Sequence, residues 1–115
     1  MMAKRVLLVA LVVGMLLLDG MVGAQPPERH LALDNESVRV VLLTYQPGTG
    51  GGRHLGLEPE LGIVLEGEVT VETPKGTEVI KAGSTYWIPS LTPHDVRNET
   101  DRAAKVWDML IKRCE

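Results

Sequence analysis

From Ser37 to Lys112 the chain is written in short β-rich runs, each closed by a glycine or a proline. Ser37–Gln46 is rich in Val, Leu and Thr and ends at Pro47-Gly48. Further runs follow at Arg53–Leu57, Glu60–Glu66, Glu68–Thr73, Thr77–Lys81, Ser84–Pro89, His94–Asn98 and Ala103–Lys112. Within them the side chains alternate with period two, as in Val38, Val40, Leu42, Thr44 against Arg39, Val41, Leu43, Tyr45. Nothing in this region has the 3.6-residue period of an amphipathic helix. About eight short strands with turn signals between them indicate an all-β sandwich or barrel. At 115 residues the chain is one domain long, and no internal repeat is visible.

The N-terminus follows other rules. Lys4 and Arg5 precede an unbroken apolar run, Val6–Leu18, which is short for a membrane span. Val22-Gly23-Ala24 then offers compact residues before Gln25. Residues 1–24 are expected to be a cleaved secretory signal peptide, giving a secreted or periplasmic protein. An uncleaved membrane anchor is the competing reading. Residues 25–36 form a polar lead-in with Pro26 and Pro27, expected to be extended, and His30 is expected on the surface.

Charge and cysteine content exclude several classes. The net charge is −3, and removal of Lys4, Arg5 and Asp19 with the signal segment takes it to −4. No basic cluster is present to grip phosphates, so nucleic acid is not an expected partner. Cys114 is the only cysteine, so no intrachain disulfide can form. Thr49-Gly50-Gly51-Gly52 lacks the Lys-Ser/Thr that follows in a phosphate-binding loop. No Gly-x-Ser-x-Gly is present either.

Two stretches carry the remaining pattern. In the first, Gly48 is followed after five residues by His54, then by Gly56, Glu60 and Gly67. In the second, Gly83 leads to Pro89, Leu91, His94 and Asn98. Both resemble the signature motifs of the cupin family, in the right order and across roughly 37–111. The first departs from the family at Gly56, where a second histidine is expected, and the second departs at Leu91, where glycine is expected. The resemblance implies a double-stranded β-helix, a small jelly-roll barrel, over residues 37–112.

It also implies a metal. His54, Glu60 and His94 are the expected ligands, two imidazoles and a carboxylate with positions left open. Such a set suits Fe, Mn, Ni or Zn as a divalent ion. Glu60 is preferred to Glu58 because it stands six residues before Gly67, as the motif requires. Gly56 cannot coordinate, so the fourth family ligand is missing. Without a metal, His54 and His94 are ordinary pocket residues. The function classes that compete are a metal-dependent oxygenase or isomerase on a small polar molecule, and a non-catalytic binder of a sugar or metabolite. A partner-binding role is a third. No catalytic residue is singled out.

The last run places Val106, Asp108 and Leu110 opposite Trp107, Met109 and Ile111. Both faces carry large apolar groups, so a homodimer covering the outer face is expected. The alternative is that Leu31–Leu33 covers it within one chain.

Overall fold

The computed structural model describes residues 25–112. The expected signal segment 1–24 and Cys114 lie outside those residues. Nine strands are present among them: β1 Glu28–Asp34, β2 Val38–Tyr45, β3 His54–Leu55, β4 Glu60–Glu66, β5 Glu68–Thr73, β6 Gly76–Lys81, β7 Thr85–Ile88, β8 Pro93–Arg97 and β9 Ala104–Ile111. They form two antiparallel sheets, one in the order β1-β2-β9-β4-β7 and the other β3-β8-β5-β6. This is the expected all-β jelly roll.

The core lies between the sheets. Val41, Leu43, Tyr45, Val64 and Val106 come from one, and Val69, Val71 and Val96 from the other, all buried. These are the alternating inward positions of their strands, which bury one face of each strand and leave the other to solvent. Gly67 turns the chain from β4 to β5 with φ of 69°, and a Cβ there would come within 2.6 Å of the Ala103 carbonyl. No other residue type fits both constraints. Asn98 closes β8 from inside: its amide donates to the Tyr45 carbonyl at 2.9 Å, and its oxygen accepts from the Thr100 N–H at 2.9 Å.

Two local expectations change. Glu28–Asp34, read as a lead-in, is a strand paired with β2, with a register shift between Leu31 and Leu33. It therefore lengthens the edge of the first sheet and does not lie over β9, so Leu31 and Leu33 do not cover the outer face. The run Arg53–Leu57 shortens to the two-residue β3.

The outer face of the five-stranded sheet stays apolar. Register aligns Leu33, Val40, Met109, Leu61 and Trp87 in one row across all five strands. Leu42, Trp107 and Ile63 form a second row beside it.

Candidate functional site

Short β3 carries His54, which stays exposed. It pairs with β8 so that His54 and His94 are direct neighbours. Their ring centroids are 4.2 Å apart, edge to face. Each ring is fixed through Nδ1, at 2.9 Å from the Gly52 carbonyl for His54 and 2.8 Å from the Thr92 carbonyl for His94. A carbonyl only accepts, so each Nδ1 carries the proton and each Nε2 is left free. That is how histidines are oriented for metal binding through Nε2.

Glu60 opens β4 and is buried at 9% exposure, while His94 is buried at 4%. Glu60 Oε2 lies 3.2 Å from His94 Nε2. Despite that approach, neither atom is in a hydrogen bond. With a neutral His94, two lone pairs face each other in a buried place, an arrangement that a cation between them relieves.

Asp108, on β9, joins them from the sheet that also carries Glu60, across from His94 on β8. It is 6% exposed and its Oδ1 has no hydrogen-bond partner. Burial, then hydrogen bonding with Glu60 and the Glu60 charge, push its carboxyl up to about 8. Asp108 thus holds a proton at neutral pH. Burial, with the charges of Asp108 and Glu60, drives the Tyr45 hydroxyl well above its ordinary value. Tyr86 is raised for the same reasons. Both phenols remain neutral and can serve as hydrogen-bonding groups.

Tyr86 reaches this place because of Gly62. The two are register partners, with Asp108 beyond them on β9. A Cβ on Gly62 would lie 2.0 Å from the Tyr86 ring. The ring occupies the space that a β4 side chain would otherwise fill.

Together these groups line a cavity of about 270 Å³ that includes Glu60, His94, Asp108, Tyr45, Tyr86 and Arg29. A larger concavity of about 700 Å³ lies elsewhere, around Trp87, Pro89 and Leu91. It lacks the histidine pair, so the smaller cavity is the candidate site.

His54, Glu60 and His94 all line this one cavity. His94 and Glu60 meet at contact distance; His54 stands beside His94 and remains exposed. Among the described residues, no three His, Cys, Asp or Glu side chains converge as a metal-ligating group. The donor types are ones a divalent cation takes, but of the three expected ligands only His94 and Glu60 approach each other. Gly56 faces no side chain; its carbonyl accepts a hydrogen bond from the Leu91 N–H at 3.0 Å. Leu91, with φ of 59°, is the one non-glycine residue with positive φ among the described residues. Sequence reasoning places Asp108 on one face with Val106 and Leu110 but does not single it out as a site residue.

Comparison with known proteins gives a consistent result. A family profile described as a cupin domain matches residues 41–111. The HTH-type transcriptional regulator PuuR of Escherichia coli (strain K12) is 35% identical over 72 residues, covering 60% of this chain and 38% of the regulator. The regulator of the same name from Shigella flexneri matches to the same extent. The chain thus spans 38% of the length of these curated relatives. Among solved structures, TT1209 from Thermus thermophilus superposes with a TM-score of 0.72 at 23% identity, over 77% of this chain and 86% of that one. A cupin domain from Bordetella pertussis Tohama I gives 0.67 at 24% identity, over 80% and 99%. With the profile running from within β2 to the end of β9 and the fold shared with these structures, the chain belongs to the cupin family.

Proposed function

We propose that this cupin binds a small polar molecule in the cavity between its sheets, next to a divalent metal held by His94, Glu60 and His54. The observation that carries the reading is the unbonded approach of His94 Nε2 and Glu60 Oε2 at 3.2 Å, both buried. The Nδ1 bonds of both histidines support it, since they leave Nε2 of each ring available. A bound metal would supply Lewis acidity toward a ligand oxygen. The chain's own groups would orient the ligand: Tyr45 and Tyr86 as neutral hydrogen-bonding phenols, and Asp108 as a protonated carboxyl beside Glu60. Because residues 1–24 read as an export signal, the ligand is one met outside the cytoplasm.

The non-catalytic reading, with the cavity binding its ligand and no metal, draws on a different observation. No three ligating side chains converge among the described residues. Elemental analysis of protein purified without a histidine tag separates the two. About one equivalent of a divalent metal, lost in His94→Ala, is expected. Equal metal content in wild type and His94→Ala would remove His94 from the site. Gly56→His should tighten metal binding by restoring the fourth family ligand. Dioxygen uptake by Fe(II)-loaded protein across small acids, thiols and phenols then distinguishes an oxygenase from a binding protein.

A further inference from the structure

Strand β1 lies outside the residues matched by the family profile, yet it contributes to the cavity. Arg29 is the register partner of Leu43, so it shares the inward face of that strand. The segment before it is held by a hydrogen bond from the Gly50 N–H to the Gln25 carbonyl at 3.0 Å. Pro26, Pro27 and Arg29 thereby line one side of the cavity. The other cations near carboxylates are engaged: Arg39 with Asp34, Lys112 with Asp34, and Arg97 with Glu72, Asp95 and Glu99. Among the described residues no carboxylate lies within ion-pair distance of Arg29. Its charge is nevertheless felt by Tyr45 and Asp108 inside the cavity.

The cavity is therefore electrically divided. Its floor presents unpartnered atoms, His94 Nε2, Glu60 Oε2 and Asp108 Oδ1. A ligand meets them with hydroxyl or amine groups, or through a metal. Its entrance presents a guanidinium, which favours a planar anion held by two parallel hydrogen bonds. From this division we propose that the ligand is a small hydroxy- or amino-carboxylate, with its carboxylate on Arg29 and its hydroxyl or amine toward His94, Glu60 and Asp108. The inference rests on the small-molecule reading above and names the ligand class for that same cavity. The volume of about 270 Å³ limits the ligand to the bulk of about nine waters.

The test pairs two of the acids, lactate and serine, with the amides that lack the carboxylate charge. L-Lactate, D-glycerate, L-malate and L-serine, with L-lactamide and L-serinamide as controls, are titrated calorimetrically into the full chain. At least one acid is expected to bind about tenfold more tightly than its amide, the difference between a charge-assisted pair and a neutral one. Arg29→Gln should erase that preference, and Arg29→Lys should retain part of it. Arg29 is exposed, so both variants should keep the wild-type circular dichroism. Equal binding of acid and amide by the wild type overturns the inference, as does a preference that survives Arg29→Gln. If such equal binding is abolished by His94→Ala, the cavity reading stands and only the role of Arg29 falls. Absence of binding by every acid also overturns it, while the metal analysis independently judges the floor.

Discussion

Asp108→Asn should change how stability depends on pH in the metal-free protein. In the folded chain the Asp108 carboxyl is pushed from 3.8 up to about 8 by burial and by Glu60. Between those values the folded state holds a proton that the unfolded chain has released. Stability contributed by this group therefore falls as pH rises from about 4, and levels off near 8. One proton corresponds to about 1.4 kcal/mol per pH unit at most. Over pH 6 to 7.5 the loss is about 2 kcal/mol, or roughly 10 °C in Tm for a domain this size. Asn keeps the shape and removes the proton. Thermal unfolding followed by circular dichroism, on metal-stripped wild type and variant from pH 5.5 to 8.5, should show a steeper decline for the wild type. Every other group is common to both proteins, so the difference between the two curves reports on Asp108. Glu60→Gln should flatten the wild-type decline as well, because the Glu60 bond and charge are the next causes after burial. Parallel curves for wild type and Asp108→Asn would refute a proton held on Asp108 at neutral pH.

Two further outcomes can be measured. Leu91 is 61% exposed and held at φ of 59°, so Leu91→Gly should relieve the left-handed strain without loss of packing and raise stability by about 0.5–1 kcal/mol in urea unfolding; a loss of stability would show that the Leu91 side chain anchors its loop. The apolar rows through Met109 and Trp107 are expected to be covered by a second copy of the chain, so sedimentation under reducing conditions should find a dimer that Trp107→Lys splits without unfolding; a wild-type monomer would defeat this.

Much of the barrel was legible because its signal is local. Alternation in Val38–Tyr45 assigned Val41, Leu43 and Tyr45 to one face, and these three are buried. Strand β1 was not legible, since Glu-Arg-His-Leu-Ala-Leu-Asp reads as polar lead-in and every one of its residues is exposed. Its strand character comes from hydrogen bonding to β2, a non-local cause that composition does not carry. The site divides in the same way. Motif spacing pointed to His54, Glu60 and His94, but spacing says nothing of Asp108, which reaches the cavity only through the pairing of β9 with β4. Nor could it show that the two departures from the family motifs touch. Leu91, standing for a glycine, donates its N–H to the carbonyl of Gly56, standing for a histidine.

Gly62 has a meaning that goes beyond backbone freedom. The ring lying over it belongs to a neighbouring strand, so the cavity wall there is built from β7 through a gap in β4. Any side chain at position 62 would displace Tyr86, whose ring lines the cavity. The size of guest this barrel admits is consequently written into a residue that has no side chain and that no guest needs to touch.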